Sequence, residues 1–200
     1  MSFTDVVVYI GTFVFALSGA SKARAHSMDI FGATVLAFVT AYGGGTTRDL
    51  IIGLRPVSWI NDATALVLVF LATFILFLFR QNIQRFNYFM FVTDAVGLGM
   101  FTVGGIEISL AHGVNEVYSL VMGVISATFG GLIADIVSNK VPALLKRGEL
   151  YATAAAIGGV FYFLCTYASV PQSVRMLISV AIVVSIRFIS RRKQIRLPDI

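Results

Sequence analysis

The chain has 200 residues, 58% of them hydrophobic and only 12% charged, with a mean hydropathy of +0.88. A soluble domain carries about a quarter charged residues, so this composition excludes a water-soluble globule; it also excludes disorder, which needs low hydrophobicity. Cys165 is the only cysteine, which excludes a disulfide scaffold, and the net charge of +5 takes its meaning from where the basic residues stand.

A transmembrane helix needs about 20 mostly apolar residues, and here charges mark the ends of the apolar runs. Val6–Ser21 lies between Asp5 and Lys22, Ile30–Thr47 between Asp29 and Arg48, and Ala63–Phe79 between Asp62 and Arg80. Phe86–Ile106 carries only Asp94, and Val117–Ala134 lies between Glu116 and Asp135. Leu150–Val170 is uncharged, and Gln172–Ile186 carries only Arg175 near its start. The expectation is an all-α membrane protein with seven transmembrane helices and short loops. The first run, followed by Ala23-Arg24-Ala25, has the outline of a signal peptide with its cleavage site. A signal peptide begins with positive charge, however, and this chain has Asp5 there, so the run is read as a retained span.

Lysine and arginine set the orientation. The first, third and fifth loops, the end of the last span and the C-terminal tail hold twelve basic residues: Lys22, Arg24, Arg80, Arg85, Lys140, Lys146, Arg147, Arg187, Arg191, Arg192, Lys193 and Arg196. The other side holds three, Arg48, Arg55 and Arg175. The N-terminus is therefore expected outside and the C-terminus in the cytoplasm. Arg191-Arg192-Lys193 reads as a topology anchor rather than a lipid or nucleic-acid patch, and no nucleic-acid partner is expected.

The sequence repeats itself at an offset of 86 residues. Gly11 falls on Gly97, Phe15 on Phe101, Gly19 on Gly105, Ala25 on Ala111 and His26 on His112. Val35 falls on Val121, Ala41 on Ala127, Gly44 and Gly45 on Gly130 and Gly131, Asp49 on Asp135, and Pro56 on Pro142. These ungapped identities exceed what the composition gives by chance and point to a duplication. Each copy holds three spans, roughly 5–80 and 88–170, with an extra helix at about 172–189. Three is odd, so the second copy enters the membrane from the opposite face. The fold expected is two inverted three-helix repeats plus a seventh helix, a plan that commonly places solute sites near the midplane on glycine-interrupted helices.

The second span ends Tyr42-Gly43-Gly44-Gly45-Thr46-Thr47-Arg48-Asp49, and the fifth reads Thr128-Phe129-Gly130-Gly131-Leu132-Ile133-Ala134-Asp135. A helical glycine costs about 1 kcal/mol relative to alanine. Glycines at equivalent places in both copies are expected to weaken or kink the helices and free backbone carbonyls beside a wet pathway; close helix packing is the alternative. Arg48, Asp49, Asp135 and the intramembrane acid Asp94 sharpen the pathway reading, because ionisable groups at such depth mark a path or a buried pair. Arg48 and Asp49 point about 100° apart on a helix, so Arg48 is expected to pair elsewhere, with Asp135 a candidate. The resulting excess of acids favours cations. The alternative is that Arg48 and Asp49 both sit in the outer headgroup region.

The run Gly43-Gly44-Gly45-Thr46-Thr47-Arg48-Asp49, its echo Gly130-Gly131-x-x-x-Asp135, and Asp94-Ala95-x-Gly97-x-x-x-Phe101-x-x-x-Gly105 resemble the trimeric intracellular cation channel family. The resemblance is to its short prokaryotic members, once regarded only as membrane proteins or glycine transporters, and it covers about Val6 to Arg187. It implies a homotrimer in the inner membrane of a prokaryote, with one pore per protomer between the second and fifth spans. It implies K⁺ and, less selectively, Na⁺ as transient passengers, with no cofactor and no resident metal. The motif match carries over Gly43, Gly44, Gly45, Arg48, Asp49, Gly130, Gly131 and Asp135. Ala134 stands where the first copy has Arg48, so no arginine role transfers there. The fifth span also lacks the lysine of the lipid-binding motif of animal members, so phosphoinositide control is not carried over.

The mechanism expected is a cation exchanging hydration for carbonyls and hydroxyls near Gly44–Thr47 and Thr128–Gly131, with Asp49 or Asp135 supplying negative potential. Thr46, Thr47, Ser126 and Thr128 offer hydroxyls to the ion or, equally, to neighbouring helices. Phe129 or another aromatic nearby closes the path by dewetting. The rival function is a secondary transporter of a small amino acid such as glycine, which inverted repeats with broken helices also serve. An enzyme is not expected: His26 and His112 fall in loops, no metal-site motif is present, and Cys165 lies in an apolar span. Trp59 fits an interfacial anchor and Pro171 the first turn of the seventh helix. Gly11, Gly19, Gly97 and Gly105 suit tight helix packing.

Overall fold

The structure, a computed structural model, describes residues 2–25, 27–78, 83–146 and 150–195, without the side chains of Ala25 and residues 83–86. His26, Phe79, Arg80, Arg147 and Arg196, singled out by sequence, lie outside the described residues, as does the side chain of Arg85. The described residues form seven α-helices: α1 (Phe3–Ala25), α2 (Ile30–Ile51), α3 (Ala63–Leu78), α4 (Ile83–Ala111), α5 (Glu116–Val137), α6 (Ala152–Tyr167) and α7 (Gln172–Lys193). A single 3₁₀ turn, Ala143–Leu145, interrupts the loop between α5 and α6. Among the described residues no strand occurs.

Each apolar run has become a helix because nothing else satisfies the backbone in hydrocarbon. Two of the starts, at equivalent places in the repeat, are set by side chains. Asp29 caps α2 by accepting from the Gly32 N–H at 2.8 Å, and Asn115 caps α5 by accepting from the Tyr118 N–H at 3.0 Å. These caps stand 86 residues apart, as do the C-caps Ile52 and Ser138. Five helices are long and apolar enough to span a bilayer, whereas α3 and α6 have only 16 residues each. The sixth span expected over Leu150–Val170 is therefore shorter than drawn: its start is taken by Tyr151, which is buried, and its end by the turn at Ala168–Ser169.

Helices α1, α2, α5 and α4 pack as a closed ring, each against the next. Helix α3 lies on α1 and α2, and α6 lies on α4 and α5, while α7 covers α4 and α6. The contacts inside the ring recur at the same offset. A methyl group added at Gly19 would run into the Leu36 carbonyl and Thr40, and one added at Gly105 would crowd Met122 and Ser126. Those neighbours are again 86 apart. Helix α3 shows how the outside is built: Ala65, Val69, Ala72 and Thr73 are buried, while Val67, Phe70, Phe74 and Phe77 are exposed. An exposed apolar belt of that size belongs against lipid, and the chain is a multi-pass membrane protein.

Candidate functional site at the crossing of α2 and α5

The glycine runs meet each other. A methyl group on Gly44 would run into the Ser126 carbonyl oxygen, and one on Gly130 into the Thr40 carbonyl oxygen. One on Gly43 would lie 3.3 Å from the Gly130 Cα. Both helices run unbroken through these residues. The expectation of weakened helices with freed carbonyls is thus corrected: the glycines bring two intact helices into backbone contact, which removes side-chain bulk without breaking the hydrogen-bond ladder. Gly45 and Gly131 lie off the contact. The nearest group to a methyl on Gly45 is the Arg48 guanidinium at 3.7 Å, and a methyl on Gly131 would face the Tyr151 hydroxyl at 3.2 Å and Lys22 Nζ at 3.7 Å.

The charges are arranged differently from the sequence expectation. Arg48 donates to Asp49 Oδ1 through Nε at 2.9 Å and through a terminal nitrogen at 2.6 Å, and it also reaches Ser126 Oγ at 3.2 Å. The pairing of Arg48 with Asp135 is corrected. The 100° between neighbouring positions separates the Cβ atoms, but the arginine side chain is long enough to curl back over that angle. Both side chains are buried within the protein, at 4% and 1% exposure. The other Asp49 oxygen accepts from the Ser58 N–H at 2.8 Å and the Ser58 hydroxyl at 2.7 Å.

Asp135 has the equivalent geometry with a different cation. Lys22 of α1 donates to its Oδ1 at 2.8 Å, and the Ala143 N–H donates to its Oδ2 at 2.8 Å. Each aspartate sits in the last turn of its helix, where the dipole disfavours an anion. A cation and a loop N–H supply the compensation in both copies. Asp94, partly buried on α4, accepts from the Tyr151 hydroxyl at 3.1 Å and from Arg187 at 3.4 Å. The three acids are thus met by three bases, and the expected net negative constriction is corrected at the level of these pairs.

The hydroxyls are also committed. Thr47 Oγ1 donates to the Gly43 carbonyl at 2.8 Å and Thr128 Oγ1 to the Val124 carbonyl at 2.7 Å. Thr46 Oγ1 accepts from Trp59 Nε1 at 2.8 Å. Trp59, half-buried in the loop after α2, also packs on Phe38 and Tyr42, with ring centroids 5.0 and 5.7 Å away.

Two cavities enter the helix ring from opposite ends. One, of about 70 Å³, is lined by Thr12, Gly45, Arg48, Asp49, Asp62 and Phe101 among others. The second, of about 370 Å³, is lined by Ser18, Lys22, Asp94, Asp135, Lys140 and Arg187 among others. Acids outnumber bases two to one in the first, and bases outnumber acids five to two in the second. Phe129 is half-buried on α5 and lines neither. Among the described residues no cluster of metal-ligating side chains is present.

Sequence reasoning missed Lys22, Ser58, Tyr151 and Arg187 as partners of the acids. The available signal was the demand that every acid at membrane depth find a cation. Lys22 and Arg187 stand at the ends of spans on the same face as Asp135 and Asp94. A second cluster was also missed: Glu107 accepts from the Tyr162 hydroxyl and from Gln172 at 2.8 Å, with Arg175 3.6 Å away.

The family model described as glycine transporter matches residues 5–81 and again 91–167. An inner membrane protein of Escherichia coli K12, YadS of the group UPF0126, is 36% identical over 191 residues, covering 94% of this chain and 92% of that one. A membrane protein of the same group from Vibrio cholerae is 37% identical over 189 residues, covering 94% and 79%. Among solved structures, the trimeric intracellular cation channel orthologue from Rhodobacter sphaeroides superposes with a TM-score of 0.88 at 32% identity, over 96% of this chain and all of that one. Another, solved to explain conductance through these cation channels, gives 0.85 at 36% identity, over 98% and 96%. The chain belongs to the trimeric intracellular cation channel family, to which the family model called glycine transporter also answers.

Proposed function

We propose that the protein is a K⁺-permeable monovalent cation channel, with one conduction path in each protomer along the α2–α5 crossing. The observation that carries this is the pair of cavities lined by charged residues at opposite ends of one helix ring, one beside Asp49 at the end of α2 and the other beside Asp135 at the end of α5. Whole-length likeness to solved cation channels at 32% and 36% identity supports it. The first cavity favours cations through its net negative charge, Asp49 and Asp62 against Arg48. The ion keeps most of its water there, since the neighbouring hydroxyls and carbonyls serve the helices. The reading extends to a homotrimer in an inner membrane, N-terminus outside and C-terminus in the cytoplasm, passing K⁺ and Na⁺. It also includes an inverted duplication over about 5–80 and 88–170, supported by the recurrence of caps, acids and glycine contacts at an offset of 86 residues.

Purified protein in a planar bilayer with asymmetric KCl tests the channel. Unitary currents reversing near the K⁺ equilibrium potential are expected. The second reading, a secondary transporter of a small amino acid, is favoured by one observation, the description of the family model. Absence of unitary currents together with saturable glycine uptake into proteoliposomes would replace the channel with the transporter.

A further inference from the structure

Along α1 and α4, an aromatic pair stands between the levels of the two cavities. The rings of Phe15 and Phe101 stack with centroids 5.0 Å apart and planes 11° from parallel, and both residues are buried. Their order along the helices places them between the cavities. On α1, Thr12 lines the cavity beside Asp49, Ser18 lines the cavity beside Asp135, and Phe15 stands one turn from each. On α4, Asp94 lines the second cavity and Phe101 the first, with Gly97 between them.

Glycines make room for the rings. A methyl group on Gly97 would run into the Phe15 ring, and one on Gly11 would lie 3.2 Å from the Phe101 ring. Phe15 and Phe101 are 86 positions apart, so each ring stacks on its own counterpart, as Gly44 meets Gly130. The surroundings are less dry than the rings. Among the described residues, the buried Ser18 Oγ, Ser21 Oγ and Thr40 Oγ1 find no hydrogen-bond partner. Thr40 lies against Gly19, one turn from Phe15. Buried hydroxyls of this kind call for water, and water has access from the cavity that Ser18 lines.

We propose that the Phe15–Phe101 stack is the dry gate of the conduction path, closing the gap between the cavities until the rings part and water joins them. The proposal rests on the channel reading above. An ion does not cross an apolar constriction from which water is excluded, because nothing there replaces its hydration. Polar groups stand on both sides of the stack, Thr12 and Asp49 in one cavity and Ser18 and Asp135 in the other.

The test is planar-bilayer recording of the full chain in asymmetric KCl, comparing wild type with Phe15→Asn, Phe101→Asn, Phe15→Leu and Phe101→Leu. Wild type without K⁺ currents removes the channel reading itself, and that outcome is seen before any variant is made. Given wild-type currents, each asparagine is expected to raise open probability about tenfold by wetting the gap, while each leucine keeps it within about twofold. Asparagine variants with wild-type open probability overturn the gate. Should asparagine prevent folding, Phe15→Cys in a Cys165→Ala background serves instead. A cationic methanethiosulfonate reagent applied during K⁺ current is expected to alter that current, and an unaltered current overturns the proposal.

Discussion

Two neighbouring residues on α2 show what one position decides. Gly44 faces the Ser126 carbonyl, and a methyl on Gly45 would make only an ordinary contact with the Arg48 guanidinium, at 3.7 Å. Gly44→Ala is expected to cost about 3 kcal/mol, the upper range for forcing a methyl into a packed contact. Gly45→Ala is expected to be neutral or to stabilise by up to about 1 kcal/mol through helix propensity. Thermal unfolding in detergent compares them, and equal losses would mean that the glycines serve some other purpose than contact. The importance of both glycines was legible in the sequence, but their difference was not, because only a partner backbone distinguishes them. The same holds for Asp49. Asp49→Asn leaves the Arg48 charge uncompensated beside the first cavity. It is expected to lower K⁺ conductance and to reduce K⁺-over-Cl⁻ selectivity, read from the reversal potential in a KCl gradient. Unchanged reversal potential in both Asp49→Asn and Asp62→Asn would remove the electrostatic part of the channel reading.

At the scale of elements, α7 lies outside the repeat yet is fastened at both ends in the same manner. Near one end Arg187 of α7 meets Asp94 of α4 and lies over the Tyr151 ring, its centroid 4.7 Å away. Near the other, Arg175 meets Glu107 of α4 and lies over the Tyr162 ring at 4.9 Å. An arginine, an α4 carboxylate and a tyrosine at or near α6 recur at each end. The two fastenings differ in what else they touch, since Asp94 and Arg187 line the second cavity and Glu107 and Arg175 line neither. Glu107→Gln is therefore expected to lower stability by about 1–3 kcal/mol, the cost of weakening a hydrogen-bonded partly buried charge, and to leave unitary conductance unchanged. Asp94→Asn is expected to affect both stability and conductance. Melting and single-channel recording on the two proteins decide it, and a conductance change in Glu107→Gln alone would reverse the assignment. The helices themselves were legible, because charges bracket most of the apolar runs. The fastenings were not: pairs between residues 55 to 93 positions apart have no periodicity to betray them.

For the whole molecule, the offset of 86 residues ties sequence to shape, since equivalent residues meet in pairs: Phe15 on Phe101, Gly44 on Gly130. Two copies related in this way must lie antiparallel across the membrane, and their internal contacts say nothing about which end faces the cytoplasm. That choice falls to the basic residues at the end where α1, α5 and α7 finish. Lysine and arginine resist translocation when the chain is inserted, so that end is expected inside. Single cysteines in a Cys165→Ala background test it. Ala168→Cys, in the exposed turn between α6 and α7, is expected to react with a membrane-impermeant maleimide on intact cells. Val141→Cys, exposed in the loop after α5, is expected to react only after lysis. The reverse pattern would put the larger, basic cavity outside, and Asp49 and Asp62 would then meet the cytoplasm. Cation preference would in that case act on ions leaving the cell rather than on ions entering it.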